Sequence, residues 1–177
     1  MIACTLNGVG PKAWIATLGL IFVLILAPLN KLSANSSVTA DPNILKLGKL
    51  LFSDNRFSAS GKTSCSSCHR AEHGFSDSVD FSLKDDGSPA ALSTPPLFNL
   101  KRKIGYFSND PVFSLVEAVE RCLKVNQSAS VLDIYVTLKK DASLSQISTG
   151  SFGRASAGAV FRSLAAYLET IKTSDSR

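Results

Sequence analysis

Two cysteines and a histidine stand close together in the segment Cys65-Ser66-Ser67-Cys68-His69. A C-x-x-C-H segment is the attachment pattern of c-type haem. On one helical turn, Cys65 and Cys68 face the same way and can reach the two vinyl groups on one edge of the porphyrin. His69 then projects over the ring, and its imidazole binds the iron as the proximal ligand. The pattern therefore predicts one covalent haem c, with His69 as the metal ligand.

Other chemistries of a cysteine pair compete with this interpretation. A zinc ribbon needs a second pair of ligands, whereas Cys4 and Cys122 are isolated from each other. A thioredoxin-type redox pair closes a strand in a βαβ unit, and no strand pattern precedes Gly61. A plain disulfide leaves His69 without a role. Haem attachment is the reading that uses all three residues.

Composition indicates a folded domain rather than a nucleic-acid binder. The 177 residues are 45% hydrophobic and 19% charged, with a net charge of +5. Two of the 19 basic residues, Lys12 and Lys31, lie in residues 1–40, which leaves 17 Lys and Arg against 14 Asp and Glu in 41–177. The only basic run, Lys101-Arg102-Lys103, has no interleaved aromatic residues, so we predict no nucleic-acid partner.

Residues 1–40 have the pattern of an export signal. Ala13 to Pro28 is a charge-free apolar run flanked by Lys12 and Lys31, and Val38-Thr39-Ala40 supplies a cleavage site. The run is also close to the length of a short membrane span, so an uncleaved anchor is the alternative. Because c-type haem is attached outside the bacterial cytoplasm, we expect a periplasmic protein, with a membrane association only if the leader remains.

Helical periodicity dominates residues 41–177, and strand patterns are nearly absent. We predict an all-α fold, a small c-type cytochrome domain of about four to five helices with long loops around the haem. The predicted helices begin after the Asp41 cap and extend to Phe52, then cover Thr63–Glu72, Asp110–Leu123, Ser130–Lys140 and Ala157–Lys172. The predicted helix Ser130–Lys140 has Leu132, Tyr135, Val136 and Leu138 as its apolar residues. The stretch Asp77 to Pro96 is rich in Ser, Gly, Asp and Pro, which predicts a loop.

Several motifs around the haem segment resemble one family. The sequence from Leu47 to Ser78 is similar to the N-terminal haem domain of bacterial di-haem cytochrome c peroxidases and the related methylamine-utilisation haem enzymes. The similarity extends over residues 41–177. The matching segments are Leu47-Gly48, Leu51-Phe52, Asp54-Asn55-Arg56, the haem motif, Gly74-Phe75-Ser76-Asp77 and Ser93-Thr94-Pro95-Pro96-Leu97-Phe98-Asn99.

The sequence departs from that family at positions near the reactive face. The family's Phe-Trp-Asp-Gly-Arg segment is represented by Phe107-Ser108-Asn109-Asp110-Pro111, and Leu-Glu-Glu-Gln by Leu115-Val116-Glu117-Ala118. The family's Glu-Met pair is replaced around Asn126-Gln127, and the loop Ser82–Gly87 lacks the histidine that binds iron in resting peroxidases. The family also carries a second haem domain, whereas this sequence contains C-x-x-C-H once.

The resemblance assigns roles to individual residues. It implies that Arg56, Phe75 and Pro95 contact the haem, with Arg56 either pairing with a propionate or closing its turn. Glu117 is the candidate catalytic acid–base, because cleavage of peroxide needs a group that moves a proton between its two oxygens. A solvated carboxylate on a helix is the alternative for Glu117. His73 is expected to be exposed or near a propionate.

The sequence also limits the sixth iron ligand. Strong-field ligands of c-type haem are usually Met or His, and the only Met is Met1. The sixth position of the iron is then open, or it is occupied by water or by a weaker ligand such as Lys84, Tyr106 or Cys122. We therefore expect a high-spin, ligand-accessible haem.

Two functions compatible with these features compete. The first is an oxidoreductase of the cytochrome c peroxidase family, which reduces hydrogen peroxide with electrons from a cytochrome or another small donor. A partner protein would then supply a second haem. The second is a non-enzymatic mono-haem electron carrier or haem-based sensor, which is compatible with the single motif and the altered segments.

Overall fold

The fold is built from α-helices and connecting loops. A computed structural model describes residues 41–173. Six α-helices and no named β-strand occur in that range, which confirms the predicted all-α class. The helices are α1 (Pro42–Phe52), α2 (Cys65–Cys68), α3 (Leu115–Val125), α4 (Val131–Lys140), α5 (Ala142–Phe152) and α6 (Ala157–Leu168). The predicted leader, residues 1–40, lies outside the described residues. None of the helices within 41–173 is long and apolar enough to span a membrane.

Helix α1 begins and packs as its sequence predicts. The Asp41 side chain accepts a hydrogen bond from the Asn43 N–H at 2.8 Å, and Pro42 occupies the first turn, where a missing N–H costs nothing. Ile44, Leu47, Leu51 and Phe52 are buried. Helix α6 lies very close at Gly48, since a Cβ added there would lie 2.0 Å from the Ser163 carbonyl oxygen. Gly48 therefore permits close packing of the first and last described helices.

Side-chain caps also start the later helices. Ser114, Ser130, Asp141 and Ser156 accept backbone N–H groups at the beginnings of α3, α4, α5 and α6, respectively. The predicted helices over 130–140 and from Ala157 are present, although α6 ends at Leu168 rather than Lys172. Helix α5 was not predicted, because its small polar residues give no clear apolar stripe.

Three predicted features of the helices are wrong in detail. Helix α3 begins at Leu115 rather than Asp110, because Tyr106 and Val112 pair through two backbone hydrogen bonds of 2.9 and 3.0 Å. The haem helix is one turn rather than Thr63–Glu72, because the chain folds back so that Arg70 pairs with Ser76. On α4, Leu132 is 68% exposed, whereas Ile134 and Leu138 are the buried residues. The predicted loop Asp77 to Pro96 contains no helix.

Candidate haem site

The two cysteines of the motif lie on the single turn of α2. The Ser64 N–H donates to the Ser67 hydroxyl at 2.9 Å, and the His69 N–H donates to the Cys65 carbonyl at 2.9 Å. Because the cysteines are three residues apart on this turn, they lie on neighbouring positions of one face. Both are free and half-buried. Burial raises the pKa of Cys65 to about 11, so the group is a neutral thiol at neutral pH.

His69 ends this turn with its ring already oriented. Its Nδ1 lies 2.9 Å from the Phe75 carbonyl oxygen. A carbonyl only accepts hydrogen bonds, so Nδ1 carries the proton and Nε2 keeps the lone pair that a metal needs. Burial lowers the pKa of His69, while the carbonyls of Phe75 and Pro95 and the charge of Asp77 oppose that change. The imidazole is therefore neutral at neutral pH, as a metal ligand must be.

A tight loop brings the Phe75 carbonyl to the imidazole. Gly74 and Phe75 both have left-handed backbone angles, with φ of +68° and +57°. The loop is closed by hydrogen bonds from the Arg70 N–H to the Ser76 carbonyl, 3.0 Å, and from the Phe75 N–H to the Arg70 carbonyl, 2.8 Å. A non-glycine residue with positive φ is uncommon. Here it turns the carbonyl of Phe75 toward His69.

Aromatic side chains pack beside this loop. The Phe75 ring meets the Phe52 and Phe98 rings edge to face, with centroids 6.2 and 5.8 Å apart. Phe52 in turn packs edge to face on Tyr167, at 5.4 Å. Each ring contributes a large apolar area, and the edge-to-face arrangement suits aromatic quadrupoles. Of the residues expected at the haem, Phe75 thus lies beside His69 and in the apolar cluster that continues into α1 and α6.

Polar groups hold the segments on either side of the motif. Asp77 accepts hydrogen bonds from the hydroxyls of Ser82 and Thr94, the latter at 3.0 Å, and Ser76 donates to the Thr94 carbonyl at 2.5 Å. Burial opposes ionisation of Asp77, but the two hydroxyls outweigh it and lower the pKa of the carboxyl. Thr94 precedes Pro95, which is itself exposed. These bonds tie the segment around Pro95 to the loop that orients His69.

Asp85 fastens the segment that leads into the haem motif. Its carboxylate accepts from the Ser60 N–H at 2.8 Å and from the hydroxyls of Ser60 and Thr63, each at 2.6 Å. The Asp85 N–H donates to the Asn126 carbonyl at 2.8 Å, at the end of α3. Partial burial opposes ionisation, but these donors outweigh it and lower the pKa of Asp85 to about 2. No local sequence pattern indicates this role of Asp85.

Arg56 is occupied by two carboxylates. It binds Asp54 at 2.6 Å within its own turn and Asp141, the cap of α5, at 3.0 Å. The hydrogen bonds that Arg56 donates to both carboxylates raise the pKa of the guanidinium. Of the two roles expected for Arg56, closing its turn is therefore the one that these contacts support.

Glu117 lies on the first turn of α3, and its side chain is exposed. Two residues beyond the end of α3, the amide of buried Gln127 donates to the Cys65 sulfur at 3.5 Å. Burial, with smaller contributions from the nearby Cys65 and Cys68, raises the pKa of the Cys122 thiol to about 12. The end of α3 therefore lies beside the haem cysteines, while Glu117 is at its opposite end.

Other candidate iron ligands have partners of their own. The Tyr106 hydroxyl donates to the Leu100 carbonyl at 3.0 Å, and the Lys84 ammonium lies 3.8 Å from Asp86. His73 is exposed on a separate 3₁₀ turn, Ala71–His73.

The donor set fits a c-type haem. Two thiols on one turn suit the two vinyl groups, and a neutral imidazole with a free Nε2 suits the iron. Cys65, Cys68 and His69 are the residues that would hold it.

Comparisons with known proteins agree with this fit. Residues 42–177 match the family described as di-haem cytochrome c peroxidase. The methylamine utilization protein MauG of Methylorubrum extorquens is 41% identical over 59 residues, which are 33% of this chain and 17% of that protein. The cytochrome c551 peroxidase of Nitrosomonas europaea is 31% identical over 80 residues, 45% of this chain and 23% of that protein.

Solved structures of related proteins share the fold. A MauG-like protein associated with microbial copper homeostasis superposes with a TM-score of 0.71 and 22% identity, over 76% of this chain and 42% of that one. The diheme peroxidase BthA from Burkholderia thailandensis superposes with a TM-score of 0.64 and 20% identity, over 73% of this chain and 39% of that one. The matched part is less than half of each of these proteins.

The fold, the C-x-x-C-H motif and the family match together place this chain in the class of c-type haem proteins. The chain belongs to the di-haem cytochrome c peroxidase family. The resemblance predicted from its motifs is thereby confirmed.

Proposed function

We propose that this chain is a haem c oxidoreductase that reduces hydrogen peroxide to two water molecules. The reaction takes up two electrons and two protons, and the electrons come from a reduced cytochrome or another small donor. The observation that carries the proposal is the C-x-x-C-H turn, in which the imidazole of His69 is neutral and oriented by the Phe75 carbonyl. Membership of a peroxidase family supports the reaction type.

The haem, when bound, supplies the iron at which peroxide binds and to which electrons are delivered. Cys65 and Cys68 hold it covalently. The Phe75 carbonyl keeps the proton on Nδ1 of His69, which directs Nε2 to the iron and increases its basicity. In this proposal Glu117 moves the proton between the peroxide oxygens.

We also propose that a partner provides the second haem that is usual in the family. Two-electron reduction of peroxide needs a second oxidising equivalent, and the sequence contains one haem motif. The partner would be a small cytochrome or a second haem subunit, and the reaction would take place in the periplasm.

A steady-state assay of the haem-loaded full chain tests the activity. Oxidation of the reduced cytochrome donor is followed with and without added peroxide. We expect turnover well above that of the donor alone. Turnover at background, with the haem attached, would refute the peroxidase proposal and favour the electron carrier or sensor.

Glu117→Gln tests the proposed acid–base. Removal of a general acid–base typically costs about 10²-fold or more in rate, and the ferrous absorption spectrum should not change. Glu120→Gln is the matched control, because Glu120 lies on the same helix and pairs with Lys124 at 3.7 Å. Equal turnover in the two variants would exclude Glu117 from the reaction.

A further inference from the structure

Arg70 directly follows the iron ligand and has a fixed backbone. Its N–H donates to the Ser76 carbonyl at 3.0 Å, and its own carbonyl accepts from the N–H groups of Phe75, 2.8 Å, and His73, 3.1 Å. These bonds belong to the loop that orients His69. The side chain of Arg70 therefore leaves the backbone at a defined point beside the haem motif.

The buried Nε of the Arg70 guanidinium lacks a hydrogen-bond acceptor among the described residues. A buried donor without a partner loses its hydrogen bonds to water and gains none in the protein. The free-energy cost is larger for a charged group. Asp77 is near enough for Arg70 to lower the pKa of that carboxyl, but the Asp77 carboxylate already accepts from Ser82 and Thr94.

Three other arginines of the described chain have side-chain partners. Arg56 binds Asp54 and Asp141, and Arg121 binds Asp110 at 2.8 Å. Arg162 lies over the Phe152 ring, 4.9 Å from its centroid. Arg56, the arginine that the family resemblance pairs with the haem, thus has two carboxylate partners, whereas the buried Nε of Arg70 has none among the described residues.

We propose that Arg70 binds a haem propionate. The inference depends on haem attachment at Cys65 and Cys68, the site of the proposed function, but not on peroxide turnover. A propionate is a carboxylate, whose two oxygens match the planar N–H groups of a guanidinium, and an ionised pair of this kind is shorter and stronger than a neutral hydrogen bond. The haem would thus supply the acceptor that buried Nε lacks.

Two measurable properties follow from this contact. Reduction adds an electron to the haem, so a cation held at the propionate favours the reduced state and raises the reduction potential. The same cation favours the ionised propionate and lowers its pKa. Loss of Arg70 should therefore lower the potential and move the pH-dependent part of the potential curve to higher pH.

The test uses the haem-loaded full chain with Arg70→Gln, Arg70→Lys and, as control, Arg102→Gln. Arg102 is exposed on the 3₁₀ turn Leu100–Arg102. Potentiometric titration from pH 5 to 9 gives the potential and its pH dependence, and resonance Raman spectroscopy reports the propionate-bending band. We expect Arg70→Gln to change all three, Arg70→Lys to give a smaller change in the same direction, and Arg102→Gln to match the wild type.

An Arg70→Gln protein with attached haem and wild-type potential, pH profile and Raman band would overturn the inference, and would assign a water molecule to the buried Nε. If Arg70→Gln yields no haem-loaded protein, Arg70→Lys decides. Arg70→Lys keeps the positive charge but loses the planar guanidinium group, so an unchanged propionate-bending band in this variant would also overturn the inference. A protein that lacks peroxidase activity but shows the predicted shifts would refute the proposed function and support the Arg70 contact.

Discussion

Asp85→Asn should weaken the attachment of the haem-bearing segment to the rest of the domain. The substitution preserves shape but removes the charge that three donors from Ser60 and Thr63 share at 2.6–2.8 Å. The pKa of Asp85 is about 2, against an ordinary 3.8. That difference corresponds to about 2.4 kcal/mol of stability. Because the carboxylate is partly exposed, screening by solvent reduces the expected value to about 1 kcal/mol.

The sign of the pH dependence follows from the lowered pKa. The folded state binds the Asp85 proton more weakly than the unfolded state does, so the stabilisation is fully present above about pH 4 and is lost as the pH falls toward 2. The free energy of unfolding of wild type should exceed that of Asp85→Asn by about 1 kcal/mol at pH 6 and by about half as much at pH 3.

Urea unfolding of the haem-loaded protein, followed by circular dichroism, measures the difference. A change of about 1 kcal/mol moves the midpoint by roughly 0.3–1 M urea without a change in slope. Asp80→Asn is the matched control, because Asp80 is exposed in the same loop. The stabilising role assigned to Asp85 is wrong if Asp85→Asn and Asp80→Asn have the same urea midpoint at pH 6. It is also wrong if the loss of unfolding free energy in Asp85→Asn does not become smaller on acidification.

Two further changes test the attachment chemistry and the packing. Cys65→Ala or Cys68→Ala should abolish the two-thioether haem and leave the domain largely unfolded, and cooperative unfolding of a haem-free variant would contradict this. Gly48→Ala should lower the free energy of unfolding by about 3 kcal/mol, because the added Cβ would lie 2.0 Å from the Ser163 carbonyl oxygen and α1 would have to move away from α6. Gly150→Ala, on α5 with nothing within 4 Å of its added Cβ, should instead raise that free energy by about 0.5–1 kcal/mol. Equal effects of the two glycine substitutions would refute the close approach.

Local signals were sufficient for the starts of α1, α4 and α6. Asp41 followed by Pro42, and Ser130 before an apolar segment, correctly predicted the first turns of α1 and α4. A cap needs only a short side chain and the next few N–H groups, so it is visible in sequence. The exposed face of α4 was harder to predict, because Leu132 and Ile134 are equally apolar and periodicity cannot decide which of them meets the core.

Features set by loop closure or by contacts between distant segments had no signature in the sequence. The haem helix was predicted too long because the left-handed angles of Gly74 and Phe75 are fixed by loop closure rather than by helix propensity. The C-x-x-C-H motif predicts the cofactor ligands, but the acceptor for His69 is a backbone carbonyl, which every residue has. Gln127 reaches Cys65 from 62 residues away, and the buried Nε of Arg70 is recognisable only in three dimensions.

The loop that orients His69 has a consequence for the order of maturation. The hydrogen bonds that close this loop join residues between 69 and 76, so they form without help from α3 to α6. Closing a short loop takes well under a microsecond, whereas contacts between distant segments of the chain are much slower to form. The imidazole can therefore be set in its metal-binding orientation while the chain around it is still open. We expect haem to be delivered to a locally ordered but otherwise unfolded chain, and the helices to close around it afterwards.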